Sequence, residues 1–256
     1  MASERLLWLV AVGFFMQTLD ATILNTALPS MAASLGESPL QMQSVIVAYA
    51  LTTAMLIPAT GWVADRFGTR RIYTAAMALF VLGSVLCALA PSLQFLVGAR
   101  VVQGVGGAMM LPVGRLAVLR AYPRDAFIRA MSFIAIPGQV GPLLGPALGG
   151  WLVEYASWHW IFWINVPVGV VGIWAAWRWM PKSDAQPPRP FDGVGFSLLA
   201  TGMVGVSLAL DGLSGIGMGR ALVTVLLVFG MASLAAYWLH ALRTPTPLFA
   251  PALFQV

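Results

Sequence analysis

Leu6-Leu7-Trp8-Leu9-Val10-Ala11-Val12-Gly13-Phe14-Phe15-Met16-Gln17-Thr18-Leu19-Asp20-Ala21-Thr22-Ile23-Leu24-Asn25-Thr26-Ala27-Leu28 is an apolar run carrying a single ionisable side chain. Its length is what a helix needs to cross the hydrocarbon of a bilayer. Asp20 is out of place there. A carboxylate in hydrocarbon is costly, so an intramembrane acid marks a functional position by default.

The whole chain has the same character. Hydrophobic residues make up 59% of it and charged residues 9%, whereas a soluble domain is nearer half and a quarter. These values point to an all-α integral membrane protein in contact with lipid. The net charge of +5 is spread over short loops, so it does not imply a nucleic-acid partner. The lone Cys87 sits in an apolar stretch and allows no intramolecular disulfide. The first run is too long for the apolar core of a signal peptide, and only Arg5 precedes it as a base, so it reads as a retained span.

Working outward, the pattern predicts eight spans, at about 6–28, 43–64, 72–90, 93–114, 131–153, 160–180, 193–211 and 220–241. The breaks fall at Pro29 to Pro39, Phe67-Gly68, Pro91-Ser92, Tyr122-Pro123, Ser157 to His159, Pro181 to Pro190 and Gly212 to Gly219. With eight crossings the loops alternate sides. One side holds Arg5, Arg66, Arg70, Arg71, Arg115, Arg120, Arg124, Arg129, Arg178, Lys182, Arg189 and Arg243, and the other only Arg220. By the positive-inside rule both termini are cytoplasmic; the expected location is the inner membrane, as a multi-pass protein. Trp158, His159 and Trp160 are expected in an outer aromatic belt, and Trp174, Trp177 and Trp179 in an inner one. The domain reading is a six-helix bundle over 1–180, a Pro-rich cytoplasmic linker over 181–192, two further spans over 193–242, and at 243–256 the start of a following region.

The fourth span carries a second buried charge, Arg100. Counting from the outer ends of their spans, Asp20 and Arg100 lie roughly 12 and 10 Å deep at 1.5 Å per residue. They can share one layer if the helices touch. Each lies on a polar, small-residue face at helical spacing: Gly13, Met16, Gln17, Asp20 and Leu24, and Arg100, Gln103, Gly104, Gly107 and Leu111. Such faces turn toward a cavity or a neighbour rather than lipid. A cation beside Asp20 favours the ionised carboxylate and apolar surroundings favour the neutral one. That balance suits a proton-binding group; the alternative is a fixed ion pair locking two helices. Gln17, Thr18, Thr22, Asn25 and Gln103 are expected to line the cavity.

After the second span comes Gly61-Trp62-Val63-Ala64-Asp65-Arg66-Phe67-Gly68-Thr69-Arg70-Arg71. The fourth span reads Arg100-Val101-Val102-Gln103-Gly104-Val105-Gly106-Gly107. The fifth reads Pro137-Gly138-Gln139-Val140-Gly141-Pro142-Leu143-Leu144-Gly145-Pro146-Ala147-Leu148-Gly149-Gly150. Together with the string from Asp20 to Pro29, these resemble the major facilitator superfamily and, within it, the fourteen-helix drug:proton antiporters. Thr69 stands where a first basic residue is usual, and Pro146 where a second glycine is usual.

The resemblance implies a cytoplasmic gate built on Gly61, Asp65, Arg66, Gly68, Arg70 and Arg71. It implies proton coupling through Asp20 and Arg100. It also implies an exporter-type fifth helix packed through Gly138, Gly141, Gly145 and Gly149, with Pro142 and Pro146 able to bend it. The expected activity is proton-coupled efflux of small amphipathic compounds, driven by a proton gradient without a cofactor or metal. The chain covers the first eight of fourteen helices, so the surfaces met by Asp65 and by Gly141 and Gly145 are expected on a missing C-terminal half or a second copy. If the chain is complete, a non-transporting half-transporter or scaffold is the alternative. An intramembrane enzyme is not expected: His159 and His240 sit at span ends, and the sequence shows no Ser–His or paired-aspartate arrangement inside the membrane.

Overall fold

The structure, a computed structural model, describes residues 2–182, 190–213 and 219–248. Among these residues eight helical stretches are long and apolar enough to cross a membrane. The first is α1 (Ala2–Leu35). The second comprises α2 (Pro39–Leu56), a 3-10 turn (Ile57–Ala59) and α3 (Thr60–Phe67). Then come α4 (Thr69–Ala88), α5 (Leu93–Ala121) and α6 (Arg124–Tyr155). The sixth span is split into α7 (Trp160–Trp163) and α8 (Asn165–Trp179), and α9 (Gly193–Leu213) and α10 (Arg220–Arg243) complete the set. Most of the linker, residues 183–189, lies outside the described residues, as do 249–256 of the following region.

Several helices run past their expected ends. Pro29 does not end the first span; it lies inside α1. A proline removes one backbone donor and crowds the preceding turn, but the helix continues around it. The stop is Gly36, at φ 69°, where the Glu37 amide bonds the Ala32 carbonyl at 3.0 Å. This is the 6→1 bond of a glycine-terminated helix. Ser38 then caps α2 through a reciprocal bond with Gln41. The fourth and fifth spans extend to Ala121 and back to Arg124, so their basic residues ride on helix ends. In the second span Pro58 lies in the 3-10 turn. In the sixth, Pro167 has no N–H to offer the Trp163 carbonyl, and the helix is interrupted at Ile164.

The interior is layered. One apolar cluster joins Leu6, Leu9 and Met16 of α1, Tyr73 and Phe80 of α4, Met110 and Val113 of α5 and Ala175 of α8. A second joins Ile23 and Met31 of α1, Val45 of α2, Cys87 of α4, Leu96 of α5 and Phe162 of α7. Between them, on the same helices, lie Asp20, Ser84, Arg100, Gln103 and Asn165, all buried.

Contacts at the N-terminal end tie the helix ends together. Arg5 lies 5.7 Å over the Trp179 ring and Arg70 4.5 Å over Trp177. Trp62 meets Phe191 at 4.8 Å, and His240 bonds Asp192 at 2.8 Å. Helices α9 and α10 cross closely at Gly205 and Gly230. Trp160 is exposed at the opposite end, but Trp158 is buried, which corrects its assignment to an aromatic belt: its ring packs into the second apolar cluster. His159 stacks on it at 3.7 Å, and partial burial there lowers the proton affinity of the imidazole from its ordinary value.

Candidate functional site

Asp20 and Arg100 are each 1% exposed. They meet at 2.7 Å, Arg100 Nη1 donating to Asp20 Oδ2. The same nitrogen donates to Gln103 Oε1 at 2.7 Å, one turn along α5. The guanidinium also lies 4.3 Å from the Tyr49 ring, and its Nε reaches the Val45 carbonyl at 3.4 Å. The cation is thus held by a carboxylate, an amide oxygen, a carbonyl and an aromatic face, which a buried guanidinium requires.

The other carboxylate oxygen, Oδ1, accepts from Gln103 Nε2 at 2.9 Å and from Asn165 Nδ2 at 2.8 Å. Both amides also donate to Ser84 Oγ, at 2.9 and 3.1 Å. The Cys87 thiol lies 3.7 Å from Gln103 Oε1. Every partner of Asp20 is a donor, so the arrangement is that of an ionised carboxylate. Asn165 and Ser84 do not stand out in the sequence, because a small neutral polar residue in an apolar span is ordinary. The one available signal for Asn165 was its place two residues before Pro167.

The residues expected to line a cavity take several positions. Gln103 is fully buried inside the ion-pair network. Thr18 and Thr22 return their hydroxyls to the α1 backbone, at the carbonyls of Phe14 and Thr18, each at 3.0 Å. They face α6: a Cβ on Gly141 would strike Thr18 Oγ1, and one on Gly145 would strike Thr22 Oγ1. Gln17 donates to the Gly107 carbonyl at 3.0 Å, and Asn25 is exposed. Of this set, then, Gln103 is enclosed by protein, and Thr18 and Thr22 are half-buried beside α6.

The glycine stripe of α6 also finds its surface within this chain, correcting the expectation that it lay elsewhere. Gly138 abuts Phe14 and Gly149 abuts Thr26, so the stripe seats α6 along α1. Pro142 and Pro146 point away and are exposed.

At the N-terminal end Asp65 pairs with Arg120 Nη2 of α5 at 2.5 Å. It therefore has a partner in this half, again contrary to expectation. Gly68, at φ 87°, makes the turn between α3 and α4. Arg66 and Arg71 are exposed. A Cβ on Gly61 would meet nothing within 4 Å; this glycine borders a cavity of about 550 Å³ with Trp62, Asp65, Asp192 and Pro247. Both members of the Asp65–Arg120 pair are well exposed. Asp65→Asn is expected to change stability by less than about 1 kcal/mol, which thermal unfolding of the purified protein measures. No group of three His, Cys, Asp or Glu is placed to hold a metal among the described residues.

Among the described residues, eight candidate membrane spans enclose a buried ion pair between the first and the fourth. The model described as Major Facilitator Superfamily matches residues 10–252, and the chain belongs to that family. Similar curated proteins carry the name multidrug resistance protein MdtD. The one from Serratia proteamaculans is 57% identical over 249 residues, covering 97% of this chain and 52% of that protein. The one from Pectobacterium atrosepticum is 58% identical over 249 residues, covering 97% and 53%. The chain thus spans about half the length of the curated relatives it matches.

Solved structures share the fold. The peptide transporter POT in complex with sulfate aligns with a TM-score of 0.68 at 17% identity, over 95% of this chain and 53% of that one. The human organic anion transporter MFSD10 aligns with 0.63 at 15%, over 88% and 59%.

Proposed function

We propose that this chain forms the first half of a proton-coupled exporter of small amphipathic compounds, drugs among them. Asp20 carries the proton and Arg100 is its electrostatic partner. The observation that carries the reading is the Asp20–Arg100 contact of 2.7 Å, buried between two apolar layers of a spanning bundle. An ion pair there holds α1 against α5 while Asp20 is ionised. A proton on Asp20 removes that attraction and frees the two helices to change their separation. A group that loads from the outer side and releases to the inner side can then drive a substrate outward, with the proton gradient as the energy source and no cofactor.

Support for export comes from the glycine and proline stripe of α6, which resembles an antiporter motif, and from the relatives' name, which supplies the substrate class. The clustering of basic residues at one end of the bundle supports a cytoplasmic location for both described ends in an inner membrane. The gate role of Gly61, Asp65, Arg66, Gly68, Arg70 and Arg71 belongs to the same reading, with the remaining half of the transporter, or a second copy, closing the pathway.

The test is pH-gradient-driven transport in everted vesicles from cells expressing the full-length transporter. Asp20→Asn is expected to abolish proton-driven efflux at normal expression. Unchanged coupled efflux in that variant would reject Asp20 as the carrier.

A further inference from the structure

We propose that Asn165 is a positioning residue that holds Asp20 in its ionised form, and that its side-chain amide turns over when the carboxyl takes a proton. This passes the change to the break in the sixth span. The inference rests on the reading of Asp20 as a proton site and goes beyond it by naming the element that responds.

Hydrogen-bond accounting carries the argument. The Asp20 carboxylate faces three donors: Arg100 Nη1, Gln103 Nε2 and Asn165 Nδ2. Oδ1 already takes two of these donors and Oδ2 one, so a proton placed on Oδ1 requires one of its two amides to leave or present an acceptor instead. Arg100 has no acceptor to present. Gln103 has one, but its Oε1 already accepts from Arg100 at 2.7 Å. Turning that amide would set an N–H₂ against the guanidinium. Asn165 carries no such obligation. Among the described residues its amide nitrogen bonds Asp20 Oδ1 and Ser84 Oγ. Turned over, its oxygen accepts the new proton, and the Ser84 hydroxyl reverses from acceptor to donor, as hydroxyls can. Asn165 and Ser84 are therefore the part of the network that can invert without stranding a buried cation.

Position supplies the second half. Asn165 is the first residue of α8, directly after the interruption at Ile164 and two residues before Pro167. A change in its bonding acts on a helix whose continuity is already broken, the kind of element transporters use near their ion sites. The charged and titratable groups around Asp20 are Arg100 of α5, Tyr49 of α2 and Cys87 of α4. At this level α6 presents Gly141 and Gly145 to α1, and α8 presents Asn165.

The test titrates the infrared band of the protonated carboxyl in the purified full-length protein, assigned to Asp20 by its loss in Asp20→Asn. Asn165→Ala removes a donor that serves the ionised form, and the midpoint of the band is expected to move up by about one pH unit. Asn165→Asp is isosteric and keeps the site filled if the alanine variant fails to fold. It is expected to move the midpoint up as well, because two carboxylates at hydrogen-bond distance resist ionising together. A merely structural asparagine would lower yield or stability and leave the midpoint in place. An unmoved midpoint in the folded variants overturns the role of Asn165 while leaving Asp20 a proton site. Absence of any Asp20 band across the titration overturns both.

Discussion

Asp20→Leu is expected to destabilise the bundle by about 3–5 kcal/mol, the cost of removing one partner from a buried ion pair. The reason is what remains. Arg100 is 1% exposed, and a guanidinium does not escape burial by giving up its proton. Tyr49 and the Val45 carbonyl stay in place, but neither supplies a negative charge. Adding Arg100→Met to Asp20→Leu is expected to recover most of the loss, because the layer then becomes apolar and continuous with the clusters above and below it. Asp20→Asn is expected to cost less than Asp20→Leu, since the amide oxygen still accepts from Arg100. Thermal unfolding of the four proteins in one detergent measures all of this. Equal stability of Asp20→Leu and the wild type would show that the pair does not hold the helices. The ordering also makes the transport test interpretable: Asp20→Asn removes the titratable group while leaving most of the packing.

The two charges were legible in the sequence because ionisable residues are rare in apolar runs, and helical rise alone put them at one depth. What surrounds them was not legible. Ser84 and Asn165 are unremarkable in composition, and only the crossing of α4 and the broken sixth span brings them to Asp20. The α6 glycines announced a packing stripe by their spacing, but nothing in a single sequence says which helix the stripe meets. Hydroxyls in a span suggest a polar lining, but Thr18 and Thr22 form the opposite face of this stripe. Here those hydroxyls bond their own backbone. Asp65 offers a similar lesson. Many arginines gather at that end of the bundle, so the sequence gives no reason to choose Arg120; the meeting of α3 and α5 decides it. Pro29 misled because proline usually ends a helix, while the actual stop is a glycine whose backbone turns left-handed.

The second large effect is expected at Gly83, next to Ser84 on α4. A Cβ there would lie 2.5 Å from Gln103 Cα and from its backbone nitrogen. Backbone atoms cannot swing aside as a side-chain tip can, so a valine must push α4 and α5 apart. The same crossing is pinned about one turn away by Gly106, whose Cβ would lie 2.5 Å from the Phe80 nitrogen. A hinge about one contact therefore does not relieve the other. Gly83→Val is expected to cost about 3 kcal/mol, the upper part of the usual range for overpacking. Gly98→Val on the same α5 is the control: nothing lies within 4 Å of its added Cβ, and its effect is expected within about 0.5 kcal/mol of wild type. The consequence reaches the site, because this close approach is what sets Gln103 Nε2 2.9 Å from Ser84 Oγ. Separating the helices draws Gln103 from Ser84, and with it a donor from Asp20. Thermal unfolding distinguishes the two glycines; an unfolding temperature for Gly83→Val equal to that of Gly98→Val would mean the α4–α5 contact is looser than its backbone geometry requires.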